Sequence, residues 1–309
     1  MTPVVAVEDL HKSYGRTERL HGISFEVQAG EILGFLGVNG AGKTTTIEIL
    51  EGYRTRDGGH VSVLGVDPAR ATREWRNRIG LVLQECELDP VYTVRETVSM
   101  FARFFAHPTD VTATVAAVGL TDKANDRVGR LSGGQKRRLD VAIGLVGNPE
   151  VLFLDEPTTG LDPVARREMW TMIEGLRDAG KTIFLTTHYM DEAQHLADRI
   201  IILRAGVIAA EGTAEELSTR LGYHTEVTFE SPGAFDPARL AALLGVEVTY
   251  ADPLVRFRTD HVQSDLATLL EWARIEAVEL VDLQAIRPSL DDVFVQLAGE
   301  ADAAQGRPS

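Results

Sequence analysis

The sequence predicts an α/β chain built around a parallel sheet and followed by a smaller α+β unit. Three observations predict this. Short apolar runs such as "VLFLDE" (Val151–Glu156) and "TIFLTTH" (Thr182–His188) have the length and near-continuous hydrophobicity of strands buried on both faces of a parallel sheet. They alternate with stretches whose apolar residues recur at helical spacing, "TTTIEIL" from Thr44 and "TVRETVSMFARFF" from Thr93, the pattern of strand–helix–strand units. Near Ser218–Tyr223 the character changes. No lysine follows Lys181, and from Glu215 onward 17 acidic residues stand against 7 basic ones, −10 of the chain's −15.

Taken in order, "PVVAVEDL" and "HGISFEVQAGEILGFLG" read as strands broken by glycine, and the stretch from Thr44 reads as a helix. "HVSVLGVD" and "RIGLVLQE" are strand-like again, and Thr93 to about Val146 is mostly helical. "RIIILRAGVIAAEG" reads as a hairpin turning at Ala205-Gly206, since a two-residue loop ending in Gly suits the tight hairpin turns. The acidic remainder reads as strand 224–230, helix 236–244, strands 246–251 and 254–259, helix 262–274, strand 277–286 and helix 289–298. That is a split β-α-β unit with an added helix. The expected divisions are therefore 1–218, with a helical subdomain at about 88–146, then 219–299, and a disordered tail at 300–309.

Composition narrows the function classes. A chain of 309 residues with 44% hydrophobic content has room for two domains and a buried core. Its acidity repels phosphate backbones and argues against a nucleic-acid partner. One cysteine, Cys86, allows no internal disulfide and fits a reducing compartment. The start "MTPVVAVEDLHK" shows no signal-peptide pattern. The longest uncharged runs, Ile32–Gly42 and Val111–Thr121, fall short of the roughly 18–20 apolar residues of a spanning helix. Any work at a membrane would need another chain to cross it.

Two glycine-led helix starts carry the chemistry. Gly37, Gly42, Lys43 and Thr44 match G-x-x-x-x-G-K-[ST], with a strand-like run before and a helical run after. The glycines let backbone N–H groups turn toward an anion, and the helix offers its positive end to the same phosphates. Lys43 adds a full charge, and Thr44 offers a hydroxyl to Mg²⁺. Asp155 and Glu156 close the apolar run "VLFLDE", at the strand end where ligands sit in open α/β sheets. Asp155 is then the expected Mg²⁺ ligand, and Glu156 the group that polarises attacking water. The second start is "RLSGGQKRRLD", Arg130–Asp140, without a lysine at the matching place. Ser132 and Gln135 also fit a plain capping box. Capping leaves Gly133 and Gly134 unexplained, because each costs a helix about 1 kcal/mol relative to Ala. Bare glycines there suit close approach of another group to the backbone.

In order and spacing, Gly37–Thr45, Gln84, Leu131–Gln135, Val151–Glu156, Thr159–Asp162 and His188 resemble the ATP-binding cassette (ABC) ATPases, over about residues 4–217. The resemblance implies a P-loop NTPase cassette with a RecA-like core, an antiparallel β subdomain and an α-helical subdomain, joined here to a ferredoxin-like α+β domain. It implies ATP as substrate, bound by Tyr14, Gly37, Asn39, Gly40, Ala41, Gly42, Lys43, Thr44, Thr45 and Gln84, with Tyr14 stacked on adenine. Thr44, Gln84 and Asp155 would hold Mg²⁺, and Lys43, Glu156 and His188 would catalyse hydrolysis. Ser132, Gly133, Gly134 and Gln135 would cap the γ-phosphate held by a second copy, and Asp162 would close a dimer-contact loop. The implied partners are a second copy on ATP binding and a separate transmembrane permease, at the cytoplasmic face of the membrane, with no nucleic acid. Asp162 before Pro163 is equally a good helix cap. Val38 stands where this family commonly has proline. The ending "RPSLDDVFVQLAG", Arg287–Gly299, resembles ATPases of bacterial drug exporters of the daunorubicin-resistance type. The expected function is thus ATP-driven export of a drug or other amphipathic molecule. Lipid or polysaccharide export, or a soluble ABC ATPase acting on ribosomes or DNA, are the alternatives.

Overall fold

The structure, a computed structural model, describes residues 2–83, 87–220, 225–231 and 236–286. Gln84, Cys86, the expected helix 289–298 and the tail 300–309 lie outside these residues. The chain divides into two compact units, Met1–Ala214 and Glu215–Ser309.

The first unit begins with β1 (Val5–Tyr14), β2 (Thr17–Val27), β3 (Ile32–Leu36), α1 (Lys43–Leu50) and β4 (Gly58–Val63). It continues with α2 (Arg73–Arg76), β5 (Ile79–Val82), α3 (Val94–Ala102), α4 (Val111–Ala117) and α5 (Gly133–Leu145). It ends with β6 (Val151–Asp155), α6 (Pro163–Asp178), β7 (Thr182–Thr187), α7 (Met190–Leu196), β8 (Arg199–Arg204) and β9 (Val207–Gly212), and α8 (Ala214–Arg220) follows. One sheet runs β5-β6-β7-β3-β8-β9, parallel except for β9. A second, antiparallel sheet runs β2-β1-β4.

The strands β3, β6 and β7 are buried at every residue, as expected where both faces of a parallel sheet are covered. One face packs on the antiparallel sheet through Phe25, Phe35, Phe153 and Phe184. Phe184 is central: its ring centroid lies 5.3 Å from Phe35 and 5.8 Å from Phe153, and it is fully buried. Phe184→Ala should cost about 3–5 kcal/mol, read as a lower denaturant midpoint of the full chain. The other face packs on α5 and α6, with α3 and α4 outside them. The hairpin β8–β9 turns at Ala205 and Gly206, with φ +44° and +80°, both in the left-handed region that a two-residue hairpin turn uses.

The second unit holds β10 (Thr225–Glu230), α9 (Pro237–Leu244), β11 (Val248–Ala251), β12 (Leu254–Thr259), α10 (Val262–Glu276) and β13 (Val281–Ile286). Its antiparallel sheet has the order β11-β12-β10-β13, the ferredoxin-like arrangement. Leu240, Leu269 and Trp272 of the helices pack on Val227, Phe229, Val255 and Phe257. The last strand starts later than its apolar pattern suggests. Helix α10 runs on to Glu276, and Ala277 ends it in the left-handed conformation with φ +52°.

Candidate active site

The site is assembled by strand order. The strands β6, β7 and β3 are adjacent and parallel, with Asp155 opposite Thr186 and Leu36 opposite Thr187. Their carboxyl ends therefore deliver Asp155-Glu156, His188 and the 37–42 loop to one place, the usual ligand edge of an open α/β sheet. Gly42 leads into α1 with φ +117°, and a Cβ there would stand 2.7 Å from Leu20 Cδ2. Neither the backbone angle nor the space admits another residue. Lys43 opens α1, is 5% exposed, and donates from Nζ to the Gly37 carbonyl at 2.7 Å. Asn39, Gly40 and Thr44 are exposed, Ala41 is buried, and the Thr45 hydroxyl lies 3.3 Å from that of Tyr14. The Tyr14 ring carries the Arg54 guanidinium 5.1 Å from its centroid, within cation–π range.

The carboxylates differ in setting. Burial pushes the Asp155 carboxyl above its ordinary range, against the opposing Thr186 hydroxyl, which donates a short hydrogen bond to Asp155 Oδ1. For Glu156 burial also pushes upward, but the Lys43 charge and the His188 contact outweigh it and leave the group below its ordinary value. Glu156 Oε1 is 3.3 Å from Lys43 Nζ, and Oε2 is 3.1 Å from His188 Nδ1. The latter is a close contact whose geometry falls short of a hydrogen bond. Thr159 donates to Oε2 at 3.2 Å. Glu156 itself sits at φ +47°, a conformation that non-glycine residues hold only when their surroundings enforce it. The His188 ring rests on Tyr189, centroids 4.1 Å apart.

A cavity of about 760 Å³ opens over these groups, between the 38–45 loop, Tyr14, Arg19, Glu156, Thr159 and His188. Phosphate-loop residues, Tyr14, Glu156 and His188 are thus brought together. Ser132–Gln135 and Asp162 are not among the lining residues. Ser132 and Gln135 form the full capping box at the start of α5. The two glycines behind Ser132 differ: a Cβ on Gly134 would meet Ala165 Cβ at 2.8 Å, whereas one on Gly133 would meet nothing within 4 Å. Asp162 caps α6, accepting from Val164 and Ala165 N–H at 2.9 and 3.0 Å. Among the described residues no group of three or more His, Cys, Asp or Glu converges as a metal site. The oxygen donors Thr44 and Asp155 nevertheless suit a hard cation that keeps waters and phosphate oxygens as its other ligands.

Sequence reasoning missed Arg19, which lines the cavity and donates to the Gly40 carbonyl at 2.8 Å. It also missed Thr186 and the buried Arg137. Arg137 carried a signal: with Val141 and Leu145 it falls on the buried side of α5, an arginine in an apolar stripe.

A phosphate loop opening a helix at the edge of a parallel sheet, faced by a strand-end acid pair, defines the class: a P-loop nucleoside triphosphatase. Residues 20–159 match the family model described as ABC transporter, and 225–289 match an ABC transporter domain-containing protein-like C-terminal domain. A daunorubicin resistance ATP-binding protein of Streptomyces coeruleorubidus is 38% identical, over 96% of this chain and 95% of its own length. A Nod factor export ATP-binding protein of Rhizobium meliloti is 38% identical over 96% of this chain and 89% of its own. Among solved structures, cbiO1 of Clostridium perfringens, part of the ABC transporter complex cbiONQ, superposes with TM-score 0.64 and 28% identity over 72% of this chain and 92% of its own. The chain belongs to the ABC transporter family, as one of its ATP-binding, ATP-hydrolysing proteins. Among the described residues no helix is long and apolar enough to cross a membrane.

Proposed function

We propose that this chain is the ATPase subunit of an exporter of drugs or similar amphipathic molecules, working beneath a separate transmembrane permease at the cytoplasmic face of the membrane. The observation that carries the reading is the convergence of Lys43, His188 and Glu156, with both carboxylate oxygens of Glu156 within 3.3 Å of a basic nitrogen. ATP's adenine stacks on Tyr14, and its phosphates lie in the loop from Gly37 to Thr45. Thr44, Asp155 and Gln84 would hold Mg²⁺, which would supply neutralisation of the phosphate charge. Lys43 then turns from Glu156 to the β- and γ-phosphates. Losing that cation raises the basicity of Glu156, which orients water for in-line attack on the γ-phosphorus as the bond to ADP breaks. His188 stabilises the charge gathering on the γ-phosphate.

The second grip completes the site from outside. A Cβ on Gly133 would meet nothing within 4 Å among the described residues, and the start of α5 presents N–H groups with positive helix-dipole character. A second copy places Ser132, Gly133, Gly134 and Gln135 over the γ-phosphate, with Asp162 at the contact, in a two-fold dimer. Hydrolysis removes the shared phosphate and the dimer reopens.

Relatives named for daunorubicin resistance support the drug reading. A relative named for Nod factor export, similar over as much of the chain, shows that the same subunit type serves cargoes other than drugs, and lipid or polysaccharide export is the second reading. Inverted vesicles separate them. With the permease present, ATP should drive daunorubicin uptake, seen as fluorescence quenching. Vesicles carrying this chain alone should show none, and uptake there would refute the two-chain reading. Permease-containing vesicles that move a lipid-linked oligosaccharide and not daunorubicin would favour the second.

A further inference from the structure

Arg137 lies on α5 just beyond the Ser132–Gln135 start and is 7% exposed. Among the described residues its guanidinium donates to four main-chain carbonyls. Nε reaches Pro157 at 2.9 Å, Nη2 reaches Asp155 at 2.8 Å and Glu156 at 3.1 Å, and Nη1 reaches Leu83. Asp140 lies 3.7 Å from Nη1 on the same helix. A guanidinium holds its donors in a rigid plane, so these acceptors are fixed relative to one another. Three of them are consecutive. They form the exit from β6 in which Glu156 takes φ +47°, a conformation that persists only where contacts over-determine it. The fourth, Leu83, follows β5, the strand beside β6.

We propose that Arg137 is a positioning residue for ATP hydrolysis. By gripping the Asp155–Pro157 carbonyls it holds the backbone of Glu156 in its left-handed turn and so aims the carboxylate at the attacking water. This rests on the reading of Glu156 as the water-polarising group. Arg137 is not among the residues lining the cavity, and its carbonyl partners among the described residues lie outside the 37–45 loop, so its effect falls on the chemical step and spares nucleotide binding.

The test uses full-length Arg137→Lys and Arg137→Gln, assayed for steady-state ATP turnover and for equilibrium binding of trinitrophenyl-ATP. Lysine keeps the buried charge beside Asp140 but cannot span the acceptors; glutamine keeps only polarity. Since a misplacement of about 1 Å can cost about 100-fold in rate, kcat should fall about 10-fold for Lys and about 100-fold for Gln, with Kd for the analogue changed less than about twofold. In a Glu156→Gln background the Lys substitution should lower residual turnover less than about twofold, because nothing remains to be aimed. A purely structural role would lower turnover in both backgrounds and weaken binding alongside. Wild-type kcat in Arg137→Lys, or an equal fall in the Glu156→Gln background, would overturn the proposal while leaving Glu156 in its role. Wild-type turnover by Glu156→Gln alone would remove the premise.

Discussion

Glu156→Gln should slow ATP turnover by about 10²–10⁴-fold, the range expected for losing a positioned acid–base group, while an ATP-bound dimer accumulates. The substitution is nearly isosteric, and the amide can still accept from Thr159 and contact His188, so the cavity should keep its shape. What is lost is the negative oxygen that orients water. Lys43 and the loop still hold phosphate, so binding survives. The pH profile of the wild type follows from the same contacts. With Lys43 and His188 beside it, Glu156 is held below its ordinary carboxyl value. A depressed carboxyl stays ionised above that value, so the stabilisation from these contacts is present at neutral pH. It is lost only as pH falls through the lowered value, so the acid limb of kcat/KM, which reports the nucleotide-free site with Lys43 still beside Glu156, should lie low, and that of kcat, after Lys43 has turned to the phosphates, should lie higher. Single-turnover kinetics with size-exclusion analysis of the ATP-loaded chain would check both parts. Unchanged turnover would remove Glu156 from the chemistry.

What could be read from the sequence were the parts whose chemistry is contiguous. Gly37 to Thr45 needs its glycines, lysine and hydroxyls in one short run, because a single turn into a single helix builds the grip. Asp155-Glu156 could be placed because a fully apolar strand announces its own carboxyl end. The hairpin at Ala205-Gly206 was legible for the same local reason. Contacts made by register were hidden. Thr186 meets Asp155 because β7 lies beside β6, which no local pattern states. Arg137 meets carbonyls 18, 19, 20 and 54 residues away. Strand β1 extends to Tyr14, beyond the alternation of "PVVAVEDL". Its register shifts between Val7 and Leu10, with Asp9 at φ +50°, and such a bulge breaks the period-2 pattern that marks a strand. The left-handed turn at Glu156 was equally invisible, since glutamate has no preference for it.

Mixing a Lys43→Ala chain with a Ser132→Arg chain should restore ATP-dependent association that neither shows alone. In the proposed two-fold pairing each site is made from one chain's loop and the other chain's α5 start. In the mixed dimer both lesions fall on one site, and the other combines the intact loop of the Ser132→Arg chain with the intact Ser132 of the Lys43→Ala chain. With equal mixing about half the dimers are mixed and each has one sound site, so turnover should approach about a quarter of wild type if sites act independently. Each lesion is severe for a stated reason. Removing Lys43 deletes a buried cation aimed at phosphate, comparable to losing an electrostatic donor at about 10²–10³-fold. The Ser132→Arg substitution would push a long side chain into the approach to Gly133, where the chain's own structure leaves open space. Loss of the Ser132 cap costs about 1 kcal/mol, so thermal unfolding of the Ser132→Arg chain must first be shown close to wild type. Sedimentation velocity with and without ATP then decides. If the mixture associates no more than its separate components, the start of α5 belongs to its own chain as a capped helix, and the nucleotide is held by one copy alone.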